Sequence, residues 1–128
     1  MLGSAIILCN GISIGIILFQ TAVIAPTVFK GLSAEQASPF LRLVFPKFFI
    51  FLALVGVIIG VLSACGGDTV HMAVGALSSL LAISCYLLIP STNKARDEGN
   101  DKRFRWLHRA SVSMTLVILL ANSISVAI

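Results

Sequence analysis

The sequence predicts an all-α integral membrane protein, a four-helix bundle in which each helix spans the bilayer. Hydrophobic residues make up 58% of the 128 residues, whereas charged residues make up only 11%. A typical soluble domain carries about 25% charged residues. The mean hydropathy of +1.04 points in the same direction. This composition excludes a disordered chain, a soluble nucleic-acid-binding protein and an ordinary cytosolic enzyme.

Four apolar stretches are long enough to cross a membrane. A helix needs about 20 residues to span the bilayer core, and the predicted spans are residues 4–25, 47–65, 70–89 and 106–127. Together they form a single domain, residues 1–128. Their continuous apolar runs lack the strict alternation of barrel strands, so a helical bundle is expected. The first stretch has no basic leading segment, and we expect a retained span, not a signal peptide.

Prolines and polar residues mark the expected ends of these spans. Pro26 and Pro90 are expected to end the first and third spans, because proline disrupts a helix and restricts the residue before it. Short polar side chains cap helices by accepting a backbone hydrogen bond. The residues expected to cap the third and fourth helices are Asp68 or Thr69, and Asn100 or Asp101.

The segment between the first two spans, residues 32–45, mixes charged and apolar residues. It predicts a short amphipathic helix that lies at the membrane interface. Ser38 is the expected N-cap and Pro39 the first helical residue. Pro46 is then expected to kink the chain into the second span. The simplest role for this helix is to cover one end of the bundle.

All basic residues fall on one side of the predicted topology. With four spans, loops 26–46 and 90–105 lie on the same side, and basic residues near span ends mark the cytoplasmic side. We therefore predict cytoplasmic loops, both termini outside, and a location in a bacterial inner membrane. The basic residues are Lys30, Arg42, Lys47, Lys94, Arg96, Lys102, Arg103, Arg105 and Arg109.

Two pairs of glycines spaced four residues apart predict a close helix contact. Gly11 and Gly15 lie in the first span, and Gly56 and Gly60 lie in the second. Small residues at this spacing let helices approach closely in lipid. Because the two spans are antiparallel, both pairs lie at matching depth, and we expect them to face each other. The alternative is that one pair forms a dimer face.

Polar residues inside the spans suggest hydrogen bonds between helices. Asn10 and Asn122 lie in the outer halves of the first and last spans, and Gln20 and Ser111 lie near their inner ends. Such residues hold helices together in lipid. The alternative is a polar path for a solute between these helices. No acidic or basic residue lies at mid-membrane, which argues against a pump or a proton-coupled transporter.

The histidines and cysteines do not form a recognised metal or catalytic motif. His71 and His108 are predicted at opposite sides of the membrane, so one monomer is not expected to bind a haem between them. His71 with Met72 and Cys65 could form a soft copper site, but the spacing is not a known ligand motif. No nucleophile has an orienting base. The sequence therefore predicts no enzymatic activity, no metal site and no cofactor.

Several short motifs lie at the predicted inner helix ends. They are Ala25-Pro26 with Phe29, Phe45-Pro46 with Phe48-Phe49, Arg103-Phe104, Leu107-His108 and Ser111. These motifs resemble those of the transmembrane protein 205-like family, small four-helix membrane proteins of largely unassigned function. Thr115 stands where that family often has asparagine. The resemblance also implies a remote similarity to copper-resistance-type and haem-related membrane proteins.

These considerations predict an inner-face cluster and a non-enzymatic role. The leading hypothesis is a structural or accessory subunit that packs in the membrane, among lipids, against a larger protein complex. The alternatives are a transporter of a metal or small solute, a haem-binding protein, and a homo-oligomer in place of the larger complex. Nucleic acid is not an expected partner. The residues predicted to form the cluster are Pro26, Phe45, Pro46, Arg105, His108 and Ser111.

Overall fold

The computed structural model describes all residues from Met1 to Ile128, and every regular element is helical. Four helices are long and apolar enough to cross a membrane, which confirms the predicted membrane bundle. The first of them contains one turn of π-helix. The elements are α1 Leu2–Phe19, a π-helical turn Gln20–Ile24, α2 Ala25–Gly31, α3 Ala34–Gly66, α4 Thr69–Asp97 and α5 Asp101–Ala127.

Neither Pro26 nor Pro90 ends its helix, so this part of the sequence prediction was wrong. Pro26 lies at the start of α2, and Pro90 lies inside α4. Because α1, the π turn and α2 form one continuous helix, Leu2–Gly31, we call them together the first helical rod. A helix in lipid tolerates proline when local adjustments satisfy the freed backbone groups. In the first rod that adjustment is the π turn, in which the Ala25 N–H donates to the Gln20 carbonyl.

The predicted interfacial helix is not a separate element. Residues 34–66 form one continuous helix, α3, with Pro39 and Pro46 inside it. Its N-cap is Ser33 and not Ser38, because Ser33 forms a capping box with Gln36. The Gln36 N–H donates to Ser33 Oγ at 3.4 Å, and the Ser33 N–H donates to Gln36 Oε1 at 3.3 Å. These two reciprocal bonds satisfy two backbone donors at the start of α3.

One turn connects α3 to α4 and another connects α4 to α5. Both predicted caps at these turns are confirmed. The Asp68 carboxylate accepts the His71 N–H at 3.1 Å and caps α4, and Asn100 Oδ1 accepts the Arg103 N–H at 3.1 Å and caps α5. Before these caps, Gly67 and Gly99 have φ angles of 72° and 67°. Glycine adopts this left-handed conformation without a steric cost, which lets α3 and α4 end sharply.

A close backbone contact joins α3 to α4. A Cβ atom added at Gly75 of α4 would lie 2.5 Å from the Gly60 nitrogen and 2.7 Å from the Gly56 carbonyl oxygen of α3. A Cβ at Gly56 would lie 2.5 Å from Ser79 Oγ. The Ser79 hydroxyl in turn donates to the Ala53 carbonyl at 3.0 Å. Only glycine permits this approach of the two backbones.

The predicted contact of Gly11 and Gly15 with the α3 glycines does not occur. An added Cβ at either α1 glycine would meet no atom within 4 Å. The helix buries the opposite face, so its glycines point away from the bundle. Both the lipid and the protein interior accept apolar residues, and hydrophobicity therefore did not reveal the buried face. The buried residues of α1 are Ile6, Asn10, Ser13 and Ile17.

We predict that Gly75→Ala destabilises the protein and that Gly11→Ala does not. The new methyl at position 75 would collide with the backbone of α3, and overpacking of this kind costs about 1–3 kcal/mol. Thermal unfolding in mild detergent should show a clearly lower Tm for Gly75→Ala alone. An unchanged Tm for that variant would contradict the close contact.

Candidate functional site

A groove opens between the first helical rod and α5, in the half of the bundle that contains the basic residues, here called the basic end. In the other half, α1 packs against both α3 and α5. Beyond the π turn at Gln20–Ile24, the chain continues as α2, which contacts α3 and makes no extended contact with α5. Proline and π-helical turns are the common causes of helix bends. We attribute the separation of the two walls to them.

The groove has a volume of about 650 Å³ and runs lengthwise along the bundle. This volume falls within the range of small-molecule sites, about 300–1,000 Å³. One wall includes Gln20 and Phe29, the floor includes Phe45, and the α5 wall extends from Phe104 to Leu119. At 1.5 Å per residue, that stretch of α5 is about 22 Å long. The groove could therefore accommodate an elongated molecule aligned with the helices.

The lining changes from cationic to apolar along this length. At the basic end the groove is lined by Arg42, Arg96 and His108, and no acidic residue lines it anywhere. The other end is apolar, with Ile17, Phe48, Leu116 and Leu119 among its residues. This order of surfaces matches a molecule with a polar head and an apolar tail.

The two arginines of the groove differ in their partners. The two terminal nitrogens of Arg42, Nη1 and Nη2, donate to the Asp97 carboxylate, with Nη1 to Oδ2 at 3.2 Å. This pair links α3 to the end of α4. Arg96 has no carboxylate within ion-pair distance. Its guanidinium carbon lies 4.9 Å from the centre of the Phe104 ring. The ring of His108 stacks on Phe104 with centroids 5.9 Å apart.

Gln20 places an unsatisfied amide beside the middle of the groove. The residue is only 7% exposed, and its Nε2 atom is buried with no hydrogen-bond partner. A buried donor without a partner costs about 1–3 kcal/mol. Across the groove, Thr115 donates its hydroxyl to the Ser111 carbonyl within α5, at 2.8 Å, and is therefore satisfied.

The family model described as Domain of unknown function (DUF4149) matches residues 8–101. The chain belongs to the DUF4149 family. The matched region of this DUF4149 protein contains most of the first helical rod and all of α3 and α4, which form one wall and the floor of the groove. The α5 wall, with Phe104 and His108, follows the matched region. Neither the curated proteins nor the solved structures include a match to the chain.

The structure brings together part of the predicted inner-face cluster. Phe45, His108 and Ser111 line the groove, whereas Pro26, Pro46 and Arg105 do not. The three residues that do not line the groove also lie at the basic end, but Pro26 and Arg105 are exposed on other faces of their helices. The depth of a residue in the membrane follows from its position in the chain. The direction of its side chain depends on the rotation of the helix about its own axis.

Sequence reasoning missed the groove residues Arg42, Arg96 and Phe104. A signal for the α5 wall was present, because Phe104, His108, Ser111 and Thr115 recur every three or four residues and so share one helix face. No comparable pattern marks Arg42 or Arg96. Their positions beside the groove depend on the packing of α3 against α4.

The opposite end of the bundle contains His71, which is fully engaged in hydrogen bonds. Its Nδ1 lies 2.7 Å from Asp68 Oδ2, and its Nε2 lies 3.1 Å from the Ser125 carbonyl oxygen. Both partners are hydrogen-bond acceptors. No group of three histidine, cysteine or acidic residues is close enough to hold a metal ion.

The asparagines predicted to mediate helix packing are both fully buried. Asn122 Nδ2 donates to Ser78 Oγ at 2.9 Å and joins α5 to α4, whereas Asn10 Nδ2 donates to the Ile6 carbonyl of its own helix. The side-chain oxygen of each has no partner, and the same holds for the hydroxyls of Ser13, Ser63 and Ser125. Polar atoms therefore line the core in the half of the bundle away from the groove.

We predict that acid weakens the capping of α4 at Asp68. The His71 backbone N–H, followed by the His71 ring, holds the pKa of the Asp68 carboxyl below its usual value. A carboxyl whose pKa is lowered by folding adds stability above its unfolded pKa of about 3.9, and this stability is lost as pH falls through the lower folded value. The Tm of Asp68→Asn should therefore decline less than that of wild type below about pH 4. Glu35→Gln is the control, and parallel declines for Asp68→Asn and wild type would contradict the prediction.

Proposed function

We propose that this DUF4149 protein is a non-enzymatic membrane protein that binds an amphiphilic, membrane-dissolved molecule in the groove between α2 and α5. The observation that supports this proposal is the lining, which changes from cationic at the basic end to apolar near the middle of the bundle. Sites for small molecules are mostly apolar cavities with a few polar groups that fix orientation.

The dimensions of the groove fit a molecule that enters sideways from the lipid. The groove runs about 22 Å along α5, whereas the hydrocarbon core of a bilayer is about 30 Å thick. A tail in the groove would therefore run parallel to the surrounding lipid chains. Gln20, whose buried Nε2 has no hydrogen-bond partner, is one of the residues that line this path.

The orientation of the protein determines which leaflet supplies the molecule. All basic residues lie in the loops or helix ends of one side, and the positive-inside rule assigns that side to the cytoplasm. We therefore propose that the basic end faces the cytoplasm, that both termini face outwards, and that the membrane is a bacterial inner membrane. The groove would then open to the cytoplasmic leaflet.

We predict that Ser111→Trp blocks binding and that Ser113→Trp does not. Ser111 lines the groove, whereas Ser113 lies on an exposed face of the same helix. Binding of a fluorescent anthroyloxy-stearate to the purified protein should weaken on the order of tenfold or more with Ser111→Trp, because the indole fills space that the tail needs. Wild-type affinity for Ser111→Trp, or no saturable binding to wild type, would refute the proposal.

A second candidate function, an accessory subunit of a larger membrane complex, is supported by the outward-facing glycines of α1. An added Cβ at Gly11 or Gly15 would meet open space, and exposed Leu8 and Ile12 flank the glycines. Small residues spaced four apart let another transmembrane helix approach closely. We also propose a relationship to the transmembrane protein 205-like family, whose function is largely unassigned.

We predict that a double variant, Gly11→Leu with Gly15→Leu, releases the protein from its complex without unfolding it. The leucines would separate the two helices at the contact, whereas nothing within this chain would be displaced. Native mass spectrometry in nanodiscs should show a larger assembly for wild type and a monomer for the variant. Gly3→Leu, also at an open position, is the control. A monomeric wild type would contradict this role, and a second copy in the assembly would replace the accessory role with a homodimer.

A further inference from the structure

We infer that the groove selects amphiphiles with an anionic head group, a carboxylate or a phosphate, and that Arg96 together with His108 recognises that group. The inference rests on the proposed ligand-binding function and adds the chemical class of the ligand. It concerns the basic end of the groove, where Arg96 extends from α4 and His108 from α5.

The charge of the lining favours an anion. The groove residues include two arginines and a histidine and no aspartate or glutamate. Arg42 is already neutralised by the two contacts with Asp97. Arg96 has no carboxylate within ion-pair distance, so its guanidinium remains available to a ligand. An anionic head group would pair with it.

The geometry places Arg96 and His108 around one aromatic ring. The guanidinium carbon of Arg96 lies 4.9 Å from the centre of Phe104, and the His108 ring stacks on Phe104 at 5.9 Å between centroids. The cation–π contact positions the guanidinium without using its N–H donors. Arginine carries five such donors in a fork that fits carboxylate and phosphate oxygens. Phe104 therefore holds two donor-bearing side chains next to the same volume.

The length of the groove distinguishes an amphiphile from a small soluble anion. From His108 to Thr115, α5 extends about 10 Å away from the head-binding residues. Along this path the groove is lined by Val112, Phe45 and Phe49, and beyond it by Leu116 and Leu119. A free phosphate would occupy only the basic end and would leave this apolar surface unused. A tail of an acyl-chain amphiphile would cover it.

The test compares ligands with the same oleoyl chain and different head groups. Oleate carries a carboxylate, oleoyl-lysophosphatidate carries a phosphate, and mono-oleoylglycerol lacks that phosphate and is neutral. Each competes with anthroyloxy-stearate for the purified full-length protein, and inorganic phosphate is added as a tailless anion. We expect wild type to bind at least one of the anionic ligands on the order of tenfold more tightly than the neutral one, because hydrogen bonds to charged groups are the strong ones.

The variant Arg96→Gln should remove this preference and leave the affinity for mono-oleoylglycerol unchanged. Arg109→Gln is the matched control, because Arg109 is an exposed arginine of the basic end that does not line the groove. It should retain the preference. A purely structural role of Arg96 would weaken the binding of all three ligands together, and that result would overturn the inference.

The possible failures separate the two proposals. Equal affinities of wild type for neutral and anionic chains would overturn the head-group inference and leave the proposed function standing. Displacement by inorganic phosphate at concentrations as low as those of lysophosphatidate would overturn it as well, because the tail would then contribute nothing. If no oleoyl ligand and no anthroyloxy-stearate binds wild type, the proposed function itself fails. Whichever of oleate and lysophosphatidate binds more tightly identifies the preferred head group.

Discussion

The backbone contact between α3 and α4 is the constraint on which the arrangement of the other helices depends. In lipid, helices gain little from hiding apolar surface, so close packing and hydrogen bonds must hold them together. Gly75 lies against Gly56 and Gly60, and neither Gly75 nor Gly56 has room for a side chain. The sharp turn at Gly67 makes the two helices an antiparallel hairpin. Both α1 and α5 pack against this hairpin.

The apolar core joins all four long helices near the middle of the bundle. It separates a region of buried polar side chains from the groove. Ile17, Leu52, Ala82 and Ile118 contribute to it, one from each long helix. On one side of this core lie the buried asparagines and serines, which hold helices together or remain unpartnered. On the other side lies the groove. The apolar core closes the apolar end of the groove, so the tail of a bound molecule would end against it.

The groove owes its shape to an irregularity in a single helix. A regular helix through residues 20–31 would continue the packing of α1 along α5. The π turn and Pro26 instead follow the last residues of α1, and α2 contacts α3 without an extended contact with α5. Single π turns within α-helices occur frequently at functional sites. Here the turn begins at Gln20, the residue whose buried amide nitrogen has no partner, so irregular backbone and unsatisfied polarity coincide.

The sequence by itself determined the features that depend on local interactions and composition. The apolar stretches established a multi-pass membrane bundle, because backbone groups in lipid must be satisfied within each helix. Asp68 and Asn100 were recognisable as caps, because each bonds a backbone N–H three residues later. The ends of the helices were predicted less accurately. Pro26, Pro46 and Pro90 interrupt helices in water, whereas in this protein the helices continue past all three.

Only the tertiary structure decided which face of each helix meets which neighbour. The glycine spacing in α1 and α3 suggested one contact, but α3 uses its glycines against Gly75, and α1 turns its glycines outwards. Similar polarity inside and outside the bundle removes the hydrophobic periodicity that reveals a buried face in a soluble protein. The same limit applies to the groove. Arg96, Phe104 and His108 come from two helices, and they meet only because of the rotation and packing of those helices.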